Sequence, residues 1–145
     1  MTTQPFPRSP NVLLGGLAHL ARMVDKVRMR QAGQIQDYNY LTQGFDRYLL
    51  DFLQLAAEAF EQRVVQGGTD EEVLQWVRTH GRALSPHEVA QWNERILASG
   101  PKDEATRQRF QARLAEVAAA RGVPVESLPP VTTWVEVIEL DEGRL

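Results

Sequence analysis

Three charged residues near the start of the chain have the types and the spacing to do chemistry. Arg22, Asp25 and Lys26 lie three and four residues apart, so on a helix they share one face. A guanidinium fork and an ammonium beside a carboxylate suit an anionic ligand or a partner's carboxylate. The same spacing also suits a solvated, salt-bridged face. Complementary charge stands at the other end. Residues 126–145 carry Glu126, Glu136, Glu139, Asp141 and Glu142 against Arg144 as their one cation. Asp141 or Glu142 is therefore expected to dock on Arg22 or Lys26, unless the tail frays as termini commonly do.

Asn93 is a second kind of candidate. It falls on the inward side of a helix, between Val89, Trp92 and Ile96. A buried amide must be hydrogen-bonded or it costs about 1–3 kcal/mol. Asn93 therefore either ties down a loop or lines a pocket together with Trp92.

Other chemistries are excluded by what is missing. The 145 residues contain no cysteine, so there is no disulfide, thiolate nucleophile or Cys-bound metal. His19, His80 and His87 show neither Glu-x-x-His nor His-x-x-x-His spacing. No metal and no cofactor is expected on that ground. There is no nucleophile elbow, phosphate-binding loop or dinucleotide fingerprint. The formal charge of −3 disfavours a nucleic-acid partner. Residues 70–79 and 86–97 loosely resemble a helix-turn-helix, but the second segment sets Glu88 and Glu94 against Arg95, a poor match for phosphates. No stretch approaches 18 uninterrupted apolar residues, so no membrane span is expected. Residues 1–10 lack the charged and apolar regions of a signal peptide, and a cytoplasmic protein is the default expectation.

The elements that must position these residues read as helices. Ser9-Pro10 suggests a cap and a first turn, followed by Leu13, Leu17, Leu20, Val24 and Val27 as one apolar stripe to about Arg30. Gly15-Gly16 then lies inside this helix, where a close neighbour explains it, and Gly33 ends it. Residues 34–44 read as an irregular polar loop holding Tyr38 and Tyr40. Residues 45–65 have helical spacing, as one helix or as two with a break near Leu55. Thr69 to Trp76 is repeated sixteen residues later as Ser85 to Trp92, each opening with a capping box. Residues 103–121 form a further helix ended by Gly122, and a proline-punctuated connection follows. Residues 131–140 are rich in β-branched residues. With no partner strand to satisfy the backbone, and with Thr133 as a cap, a helix is preferred over a strand.

Four short motifs occur in order: Pro7-Arg-Ser-Pro10, Leu14-Gly-Gly-Leu17 running on to Arg22-Met-Val-Asp25-Lys26, Gly68 to Trp76, and Asp141-Glu-Gly-Arg144. In these motifs the chain resembles a bacterial family known as domain of unknown function 5069. The resemblance spans nearly the whole sequence. It implies a small, stand-alone helical protein and brings no activity, cofactor or catalytic residue with it.

The fold expected is all-α: one compact domain over residues 1–145, of five to seven helices around one core. Residues 1–9 would be an extended arm and 141–145 a tail. Trp76, Trp92 and Trp134 would anchor the core. The function expected is a small cytoplasmic binding or interaction module rather than an enzyme. Its site would be Arg22, Asp25, Lys26, Asp141 and Arg144, with Trp92 and Asn93 as secondary members, taking a small anionic ligand or a protein partner. The rival is an enzyme for a small anionic substrate, with Arg22 and Lys26 orienting it and Asp25 or Asp141 as acid or base. A homo-oligomer formed through an exposed helix face is the third reading.

Overall fold

The computed structural model describes residues 6–34 and 38–145. Among them the backbone forms seven α-helices and one 3-10 turn, and no strand. The all-α expectation holds, including a helix at the C-terminal segment. The helices are α1 (Leu20–Gln31), α2 (Gly44–Leu53), α3 (Ala57–Val65), α4 (Asp70–His80), α5 (Pro86–Leu97), α6 (Glu104–Arg121) and α7 (Trp134–Asp141). The chain falls into two compact units, Met1–Asn93 and Glu94–Leu145, with the boundary inside α5.

In the first unit, α1 begins ten residues later than the apolar spacing predicts, at Leu20 rather than Pro10. Gly15, Gly16 and His19 have φ of 61°, 81° and 74°, left-handed values that no α-helix accommodates. The stretch folds instead as successive turns. Val12 N–H bonds Ser9 O, Leu14 and Leu17 exchange a pair of backbone bonds, and His19 N–H bonds Pro10 O. The glycine pair therefore turns the chain and is not part of a helix. Leu13, expected in the inward stripe, is 52% exposed.

The second departure concerns α1 itself. Nine of its twelve residues are buried, including every one from Leu20 to Val27. A helix buried all round is an interior element, so Arg22, Asp25 and Lys26 form neither an open ligand-binding face nor the solvated, salt-bridged one that their spacing also suits. α1 packs on α3, and α3 on α4. The core of the unit includes Met23, Val24, Leu49, Leu53, Phe60 and Val73.

Residues 45–65 resolve into two helices. Gln54 turns left-handed (φ 59°) and Leu55 N–H closes back on Leu50 O, which ends α2 before α3 starts. The capping boxes form as the sequence predicts. Thr69 and Glu72 cap α4 reciprocally, and Ser85 and Glu88 do the same for α5.

In the second unit α6 packs on α7. α6 is capped by Asp103 and ends at Gly122 in the left-handed conformation. Thr133 and Glu136 form a capping box on α7, and Phe110 meets Trp134 edge-on at 5.1 Å. The local cap and this tertiary aromatic contact together outweigh the β-propensity of Val131 to Ile138.

Candidate functional site

Asp46, in the first turn of α2, is fully buried (0% exposed) and gathers a network around itself. It accepts hydrogen bonds from His19 Nε2 at 2.5 Å, from Lys26 Nζ at 3.0 and 3.2 Å and from the Leu41 backbone N–H at 2.9 Å. Lys26 Nζ donates in addition to Asn39 O at 2.8 Å. Burial works against ionisation of Asp46, but the His19 hydrogen bond and the Lys26 charge outweigh it and hold the carboxyl below its usual range. Burial pushes the His19 imidazole below its ordinary value, and the Asp46 hydrogen bond only partly opposes this. A neutral His19 then donates through Nε2, while its Nδ1 finds no hydrogen-bond partner among the described residues.

Two backbone positions tied to Asp46 are strained. His19 (φ 74°) and Leu41 (φ 54°) are left-handed without being glycine, at a cost of about 1–3 kcal/mol each. The bonds to Asp46 hold one by its side chain and the other by its amide.

A second cluster clasps the N-terminal segment onto α1. Arg8 donates to Asp25 through its backbone N–H, Nε and a terminal nitrogen at 2.8, 2.9 and 3.0 Å. Its other terminal nitrogen reaches Asp70 at 2.8 Å, and Arg28 reaches Asp70 at 2.6 Å. Arg22 donates to the carbonyls of Pro7 and Arg8. The hydrogen bond from Arg8, seconded by that from Arg28, holds Asp70 below the usual carboxylate range. Asp25 in turn secures the charge on Arg8.

Leu41, whose amide bonds Asp46, also lines an open cleft of about 420 Å³. Residues 38–43 form one wall and the first turns of α3 the other. Arg30, Tyr38, Tyr40, Glu58 and Glu61 supply its polar and aromatic lining, with Thr42 and Gln43 at the loop. Tyr40 donates its hydroxyl to Glu61 at 2.5 Å. Burial, with help from Glu61, pushes this phenol above its ordinary value, so it is a neutral donor at any physiological pH. The Arg30 guanidinium sits 4.2 Å from the Tyr40 ring centroid.

Of the residues singled out from sequence, Arg22, Asp25 and Lys26 share α1 but divide between the two clusters: Lys26 bonds Asp46 and Asn39 O, whereas Arg22 and Asp25 bond the N-terminal segment. The three are only 3%, 6% and 4% exposed, and they face the N-terminal segment and the 38–43 loop. Asn93 is a satisfied amide that ties down a loop: it accepts from Ala18 N–H and donates to Gly16 O, both at 2.8 Å. Trp92 is buried, donates Nε1–H to Ala18 O at 3.0 Å and stacks on Phe52. Asp141 and Arg144 belong to the second unit, where Asp141 pairs with Arg113 at 3.4 Å and Arg144 with Glu139 and Glu142 at 3.0 and 2.7 Å. The sequence reading missed Arg8, Asp46, Asp70 and the cleft lining. Arg8 stood inside the Pro7-Arg-Ser-Pro10 motif, whereas nothing in the pattern marks Asp46 apart from other acids in a first helical turn.

Among the described residues no three His, Asp or Glu side chains gather as a metal site would require. Among the described residues no helix is long and apolar enough to cross a membrane. Comparison with the curated proteins finds no match. The family model described as domain of unknown function (DUF5069) matches residues 4–144, nearly the full length, and the chain belongs to that family.

Proposed function

We propose that the chain is a binding module whose ligand occupies the cleft between residues 38–43 and the start of α3. One observation carries this reading. A strained loop bearing aromatic and polar groups is pinned from beneath by a fully buried carboxylate. Strain held by its surroundings gathers at sites where placement matters. In this reading Lys26 is a positioning residue for the loop, through Asp46 and Asn39 O. Arg22 and Asp25 position the N-terminal segment, and Asn93 and Trp92 hold the turn leading to His19. Asp141 and Arg144 take no part in it. Burial closes Arg22, Asp25 and Lys26 to an approaching anion, which counts against an enzyme that orients an anionic substrate with them.

The test is thermal shift against a panel of small polar metabolites, since a ligand of the folded state raises stability by mass action. Thr42 is exposed and lines the cleft, so Thr42→Trp fills the cleft with little disturbance beneath it. Compounds that stabilise the native chain should lose their effect on Thr42→Trp. Hits that stabilise both proteins equally would place binding elsewhere and end this reading.

A further inference from the structure

The cleft carries more acid than base. Among the described lining residues Glu58 and Glu61 face one cation, Arg30, so the site is ill-suited to the anion that the sequence suggested. Its aromatic faces already hold guanidinium groups from the chain itself. Arg30 lies over Tyr40 at 4.2 Å and Arg22 lies 5.6 Å from the Tyr38 ring centroid. A planar guanidinium stacks on an aromatic face more readily than a compact ammonium does. The hydrogen bond from Tyr40 to Glu61 fixes the ring and draws the hydroxyl proton towards the carboxylate, which enriches the π face in electron density. Arg30 itself is an exposed residue near the end of α1, so its side chain is free to swing aside without disturbing the core.

We propose that the cleft is a guanidinium site. An arginine-like cation from outside stacks on Tyr40 and pairs with Glu58 and Glu61, in the place that Arg30 fills in the free chain. The proposal rests on the reading of the cleft as a binding surface and names its ligand class. The cation comes from a small guanidino compound or from an arginine side chain of a peptide, and the experiment separates these sources.

The isotope-labelled full chain is titrated with N-acetyl-arginine methylamide and with an acetylated peptide holding one central arginine. The lysine and glutamate methylamides serve as controls, and the Thr42 and Gln43 amide resonances are followed. Both guanidinium probes should move these resonances and bind more tightly than the lysine probe. Tighter binding of the peptide identifies a peptide partner, and equal affinity identifies a small compound. Arg30→Ala removes the internal competitor and a like charge, so guanidinium affinity should rise about 3- to 10-fold. Tyr40→Leu should weaken it by a similar factor. Tyr40→Phe keeps the ring and should bind at an intermediate level, which guards against a folding defect in the leucine variant. Weaker guanidinium binding by Arg30→Ala, or a glutamate probe that binds better than the arginine probe, overturns the guanidinium assignment. The binding reading survives either result if Thr42→Trp still blocks the bound probe. Silence of the cleft resonances towards every probe also overturns the assignment, and a thermal-shift panel without hits would then remove the binding reading as well.

Discussion

Replacing Asp46 by asparagine removes one charge from the centre of the network and changes little in shape. The native carboxylate serves His19, Lys26 and the Leu41 amide. A carboxamide offers one acceptor oxygen and cannot serve all three. Lys26 is 4% exposed, so its ammonium loses a buried counter-charge, a change that typically costs about 3–5 kcal/mol. Asp46→Asn should therefore be destabilised by that amount. Urea unfolding in a Trp134→Phe background measures it, because fluorescence then reports on Trp76 and Trp92 of the first unit. The mechanism adds a second requirement. Lys26→Met removes the charge that Asp46→Asn strands, so the double variant should cost at least about 1 kcal/mol less than the two single costs summed. A loss under about 1 kcal/mol for Asp46→Asn, or strict additivity in the cycle, would refute the claim that this buried pair holds the loop.

The remaining predictions concern proton uptake and the Asn93 tie. His19 has its folded value held below 6.5, so on acidification the unfolded chain takes a proton that the folded chain refuses. Stability is present above about pH 6.5 and is lost as pH falls from there towards the lowered folded value, by at most about 1.4 kcal/mol per pH unit. Asp46, also lowered, adds a loss of the same sign below its ordinary value. His19→Gln should flatten the stability profile between pH 6.5 and 5, and an unchanged slope in that window would remove His19 from the account. Asn93→Ala deprives Gly16 O and Ala18 N–H of their partner and should cost about 1–3 kcal/mol. Hydrogen exchange at the Ala18 amide should accelerate with it, and unchanged protection there would contradict the tie.

What sequence reasoning recovered was whatever is decided within a few residues. The capping boxes at Thr69 and Ser85 and the cap at Thr133 are local chemistry, and each is in place. The end of α1 near Gly33 is also local, because the glycine takes the left-handed turn. The start of α1 was misread because an apolar stripe at helical spacing is blind to φ. Leu13 and Leu17 fit the period, yet Gly15, Gly16 and His19 adopt positive φ between and beyond them. The break after Leu53 is not decided by the sequence for a related reason, since Gln54 turns left-handed without a glycine to announce it. Arg22, Asp25 and Lys26 share a helix, as their spacing implies, but they lie buried and bond different segments. Helical spacing says which residues share a face, while only packing decides whether that face meets water. Here it meets the N-terminal segment and the 38–43 loop.

That environment explains why so much charge lies inside a small chain. Arg22, Asp25, Lys26 and Asp46 are all nine-tenths or more buried, and a well-packed apolar replacement of a buried ion pair is often as stable or more so. Stability alone is therefore a poor reason for the network. Position is a better one, because each charge reaches a segment that no helix controls. Lys26 grips Asn39 O, Asp46 grips the strained Leu41, and Arg22 grips the carbonyls of Pro7 and Arg8. An apolar core could hold α2 against α1, but it offers nothing to the amide of Leu41, whose left-handed backbone would relax. Tyr40 is the preceding residue, and relaxation at Leu41 would carry its ring away from Glu61 and Arg30. The buried charges and the open cleft are in this way one device, and a variant that stabilises the core while neutralising Asp46 should leave the fold standing and the cleft disordered.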